Sequence, residues 1–201
     1  FQDKMDSEFL YRLAFDWALA WSKLEFCALG LVFNASAQNV KEVYKYTVLE
    51  TSEIIECRMS DLKFSSYSFD FSTMFHLCKS KEGPAYILTF FLSSLNEGNP
   101  IIHWANNSSV KQQKINITVK LSNGKTITPA AWIQNNTREG LRGSTKVGSV
   151  LLTLGGTYDS LVKNLTMYDV ESITYMGKTL SFGDVKTAST ISAMVNDIKT
   201  R

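Results

Sequence analysis

Four of the Cys and His side chains in this sequence could together bind a metal or supply a nucleophile. His76 and Cys78 stand two apart in a segment that alternates like a β-strand, so their side chains share one face. Cys57 lies in the alternating segment before it, and His103 further on would complete a Cys2His2 set, the ligands zinc prefers. The spacing matches no compact zinc motif, so neither a metal nor another cofactor is expected. A Cys–His nucleophile pair would need a thiol of lowered pKa beside an orienting base, and nothing in the sequence supplies either. Cys57 and Cys78, in neighbouring predicted strands, fit a disulfide as well as they fit two buried thiols.

Other catalytic patterns are thinner. Asp169 and Glu171 are two apart and could face one cleft, as the acid and nucleophile of a glycosidase must, but acids at a strand junction are ordinarily solvated. Gly124-Lys125-Thr126 and Gly177-Lys178-Thr179 each look like the end of a P-loop. The first glycine of that motif is replaced by Val119 and Ser172, and both triplets lead into strands rather than helices, so hairpin turns are the expectation. No Gly-x-Ser-x-Gly elbow occurs. An enzyme is therefore not the leading expectation, and a small carboxylate-using hydrolase stands as the alternative to a binding protein.

Aromatic residues are the stronger lead: the chain has 4 Trp, 8 Tyr and 12 Phe. Trp104 lies beside His103 in the longest polar connection, residues 96–109, among Asn and Ser neighbours, and Trp132 follows on a predicted strand. Rings of this kind stack on sugars or anchor protein interfaces, so His103, Trp104 and Trp132 are the candidate binding residues, for a glycan or protein ligand.

The elements that must position these residues are mostly strands. From about Val40 the apolar pattern has period two, through residues 53–60, 63–71, 73–79 and the apolar run 85–94, which reads as a central strand. Residues 114–121 alternate, Asn123-Gly124 turns, and 126–133 returns, the pattern of a hairpin with a type I′ turn. Strands are also expected over 147–154, 161–168, 171–176 and 179–182. Ile191, Met194, Val195 and Ile198 then recur at i, i+3, i+4 and i+7, predicting a closing helix. The fold class is mainly β: an antiparallel β-sandwich or barrel with a C-terminal α-helix packed on it. The barrel would suit a lipocalin-like carrier of an apolar ligand.

Two units are expected, an N-terminal extension over residues 1–37 and a single β-rich domain over 38–201. Residues 23–37 resemble a secretory signal peptide: Lys23, an apolar stretch 26–33, then Ala35-Ser36-Ala37, which a signal peptidase would accept. With Gln38 directly after that cut, the segment resembles the small exported β-domain proteins of Bacteroidetes. The resemblance implies a periplasmic, cell-surface or extracellular protein. Lys23 and Glu25 interrupt the apolar stretch well short of the roughly 18 residues a spanning helix needs. Charge is nearly balanced, 21 basic against 19 acidic side chains, without the concentrated basic patches of nucleic-acid binders. Asn-x-Ser/Thr triplets begin at Asn34, Asn106, Asn107, Asn116, Asn135 and Asn164, and would be glycan acceptors in a eukaryotic exported chain.

Overall fold

The computed structural model describes residues 40–48, 53–60, 63–64, 71–80, 83–136, 148–183 and 185–199. All lie within a compact unit, Gln38–Arg201. The expectations for the signal-like segment, for Cys27 and for most of residues 63–71 fall outside the described residues.

Among the described residues, twelve strands, all paired antiparallel, form two sheets. The larger sheet contains β1 (Val40–Val48), β2 (Glu53–Ser60), β4 (Ser72–Ser80), β5 (Ala85–Ser94), β10 (Gly148–Thr157), β9 (Ala130–Asn135) and β6 (Gln113–Ile115), in that spatial order. The short β3 (Lys63–Phe64) lies along β4. The smaller sheet runs β12 (Lys178–Ser181), β11 (Val170–Tyr175), β7 (Thr118–Leu121) and β8 (Thr126–Ile127). Neither sheet closes on itself among the described residues, so the architecture is a sandwich-like pair of sheets rather than a barrel.

The apolar run expected to be central is central: β5 lies between β4 and β10. Leu88, Phe90 and Leu92 of β5 and Leu152 and Leu154 of β10 are almost fully buried. They join Phe75 of β4, whose ring meets Phe90 edge-on at 5.2 Å, and Phe182, whose ring stands 5.8 Å from Phe90. Such edge-to-face pairs add specific geometry to the area they bury. The closing helix is α3 (Thr187–Lys199), and Ile191, Met194, Val195 and Ile198 all enter this core. Its first turn is held by Asp169, whose Oδ1 accepts from the Ala188 backbone N–H at 2.9 Å. No helix among the described residues is long and apolar enough to cross a membrane.

Four local expectations are corrected. The polar connection 96–109 contains a helix, α1 (Pro100–Asn107): Asn99 caps it by accepting from the Ile101 N–H at 2.9 Å, and Pro100 sits in its first turn. Residues 161–168, expected as a strand, are helical. A π-turn over Tyr158–Val162 runs into α2 (Lys163–Met167), with Thr157 and Ser160 forming a reciprocal capping box. The expected strands 114–121 and 126–133 each break in two, β6 with β7 and β8 with β9, as the chain passes from one sheet to the other near Ile117 and Pro129. Finally, the turn type expected at Asn123-Gly124 is not the one found. At Asn123-Gly124 only Gly124 has positive φ (81°), and its N–H donates to Leu121 O, a three-residue turn with glycine at the left-handed position. A type I′ turn occurs at Met176-Gly177, where both φ values are positive (50° and 69°).

Candidate functional site

The binding residues expected from sequence do not converge. Trp104 is completely buried, with its Nε1–H donating to Tyr175 O at 3.1 Å and its ring 6.1 Å from that of Tyr175. An indole N–H carried into a core needs such an acceptor, and here the smaller sheet provides it. Trp104 is thus the peg that fastens α1 to β11, not an exposed platform. Trp132 is also buried, but it alternates with the core residues Ala131 and Ile133 and so lies on the other face of the large sheet. His103 is half-buried on α1. No common surface joins the three.

Asp169 and Glu171 separate as well. Asp169 caps α3 and lies 3.6 Å from Lys186 Nζ, while Glu171 pairs with Lys120 across the β11–β7 ladder at 2.7 Å. Each carboxylate has a structural partner, and they do not face a shared cleft. Both Gly-Lys-Thr triplets sit at hairpin turns, as expected. Of the Asn-x-Ser/Thr asparagines, Asn106, Asn107 and Asn116 are exposed, while Asn135 donates from Nδ2 to Ala105 O at 2.8 Å. A shallow groove of about 330 Å³ lined by Asn116, Ile117, Thr118, Thr128 and Pro129 marks the passage between the sheets.

The residues that do meet are Cys57, His76 and Cys78. Register places Cys57 of β2 directly opposite Cys78 of β4, with Cα atoms 4.2 Å apart, the close spacing of a non-hydrogen-bonded antiparallel pair. The two sulfurs are joined as a disulfide. His76 lies two residues earlier on the same face, its Nε2 3.5 Å and its Nδ1 3.6 Å from Cys78 Sγ. All three side chains are at most 2% exposed. Burial pushes the His76 pKa from its ordinary 6.5 down to about 3, so the imidazole is neutral. His103, the fourth member of the Cys2His2 set weighed from sequence, is not part of this group.

The opposite face of β2 carries a second polar feature that the sequence did not suggest. Arg58 is fully buried, and its Nε donates to Asp197 of α3 in an ion pair, while Nη1 donates to Cys57 O at 3.0 Å. Its only sequence signal is a charged residue in an alternating strand, on the side that faces the core.

Fold and site together define an antiparallel β-sandwich domain fastened by a buried cross-strand disulfide and closed by a C-terminal helix. Compared with protein-family models, curated proteins and solved structures, the chain matches none.

Proposed function

We propose that this chain is an exported β-domain, periplasmic or at the cell surface, that works as an interaction module recognising a protein partner. The observation that carries the binding reading is the pair of exposed apolar side chains Leu95 and Val110, at 62% and 72% exposure. Leu95 follows the end of β5, and Val110 follows Ser109, whose carbonyl accepts from Asn135 N–H at the end of β9. Both therefore sit at the end of the large sheet where β5 and β9 finish and β10 begins, next to the α1 connection. Loops gathered at one end of a sandwich are a common recognition surface, because the sheets hold them while their sequence varies. With Trp104 in the core, recognition rests on these side chains rather than on ring stacking against a sugar. The disulfide supports the compartment, since such bonds persist where the surroundings are oxidising.

Two measurements on the full chain in its host test this. A photo-crosslinking residue at position 110 should yield a discrete protein adduct, lost when Leu95→Asp is added to the same chain, while the same probe at position 178 yields none. Equal adducts at both positions, or none at 110, would reject the surface. The intact mass of the recovered protein should correspond to an N-terminus at Gln38; retention of residues 1–37 would overturn export.

A further inference from the structure

We propose that the Cys57–Cys78 disulfide is the closed state of a soft-metal site, and that after reduction the two thiolates and the His76 imidazole bind one cuprous ion between β2 and β4.

The donor atoms of Cys57, His76 and Cys78 all lie within 4.8 Å of one another. Strand pairing holds them there. Cys57 opposes Cys78, and one step along the same face Met59 opposes His76. Because backbone register sets these positions, cutting the sulfur–sulfur bond leaves two thiols facing each other with an imidazole beside them. Met74, two residues before His76, adds a second thioether to the same face of β4. Thiolate, imidazole and thioether are soft or borderline donors, and this face carries no carboxylate from Ile55 to Met59 on β2 or along β4 to favour a harder ion. The three donors that meet fall one short of the four a closed structural zinc site takes, whereas a pair of soft thiolates favours Cu(I). The surrounding side chains keep water from the donors: Cys57, Cys78 and His76 are buried, while Met59 is only partly so and marks the side by which an ion could enter.

The chemistry balances with a dithiol as reductant. Thiol–disulfide exchange moves two electrons and two protons from the external dithiol to the protein, leaving two protein thiols and one external disulfide. Each protein thiol then loses its proton as its sulfur bonds to the ion, so one Cu(I) enters and two protons leave. Re-forming the disulfide by the reverse exchange expels the ion.

The test uses the full chain with Cys27→Ser, so that only the described cysteines respond. The protein is reduced with a dithiol, freed of it by anaerobic gel filtration, and titrated with Cu(I) against a chromophoric Cu(I) chelator. The expected result is one tightly held Cu(I) per reduced chain, a sulfur-to-copper charge-transfer band in the ultraviolet, and no binding by the oxidised protein. His76→Ala should weaken the affinity by about tenfold or more, as loss of a group that fixes a metal site commonly does. The oxidised–reduced comparison needs no substitution at the site itself, so a folding failure of His76→Ala would not rescue the idea. Equal copper uptake by the oxidised chain, no uptake by the reduced chain, uptake of Zn(II) in preference to Cu(I), or unchanged affinity in folded His76→Ala would each overturn it.

Discussion

Cutting the Cys57–Cys78 bond should destabilise the domain by an amount set by the loop it closes. The two cysteines are 21 positions apart, and the chain-entropy relation for a loop of that length gives about 3 kcal/mol. The folded state should change little, because β2 and β4 are already paired from Ile55↔Ser80 to Met59↔His76 and the cysteines stand opposite each other with or without the bond. The effect therefore acts on the unfolded ensemble, which gains freedom when the crosslink goes. For a chain of this size, about 3 kcal/mol corresponds to a fall in Tm of roughly 6–12 °C. The assay is urea unfolding of the Cys27→Ser chain, oxidised and dithiol-reduced, followed by far-ultraviolet circular dichroism. Reduction should lower the midpoint and raise the m value, since an uncrosslinked unfolded chain exposes more surface. A stability difference below about 0.5 kcal/mol, or a lower midpoint with no rise in m, would refute the entropic account and imply that the bond matters through native packing.

Asp197→Ala should cost about 3 kcal/mol by leaving Arg58 charged and buried without its partner, and Arg58→Met in the same chain should recover most of that loss in thermal unfolding. Gly148→Ala should cost about 1–3 kcal/mol, because the new Cβ would lie 2.9 Å from Ile102 Cα and push α1 off β10; an unchanged Tm would contradict that contact. Met176→Gly should stabilise by up to about 1 kcal/mol, because Met176 holds φ at +50° in its turn; urea titration would show it as a higher midpoint. His76, with its pKa lowered from 6.5 to about 3, gives stability that is complete above pH 6.5 and is lost as pH falls, because the unfolded chain takes up a proton that the folded chain refuses. Between pH 7 and pH 5 the loss attributable to it should be about 2 kcal/mol, absent in folded His76→Asn; parallel pH profiles for the two proteins would exclude this titration.

What could be read from sequence depended on how far each signal reached. Ile191, Met194, Val195 and Ile198 repeat over enough turns to announce α3, and the unbroken apolar run of β5 announced a strand covered on both sides. Helix α1 has only eight residues, too few to display a period, and its Asn99-Pro100 start is chemically the same as a turn. The helical stretch 158–167 was masked by Val162 and Thr166, although Thr157 with Ser160 carried the cap. Trp104 read as exposed because its sequence neighbours Asn106 and Asn107 are polar. On a helix, however, those residues point outward while Trp104 points in. The nearness of Cys57, His76 and Cys78 was only half legible. Period two puts His76 and Cys78 on one face, but the pairing that brings Cys57 opposite Cys78 is set by a register that single strands do not encode.

The strand order of the large sheet also governs when the molecule can form. The pair β5–β10 at its centre joins residues 85–94 to residues 148–157, and the Arg58–Asp197 tie spans 139 positions. A chain emerging from the ribosome can assemble the meander of β2, β4 and β5 early, but its apolar side is not fully covered until α3 has been made. Contacts of such long range slow folding and prolong the exposure of sticky strand surfaces. Completion of the core thus waits until α3 has been synthesised, and until then β2, β4 and β5 lack part of their apolar cover.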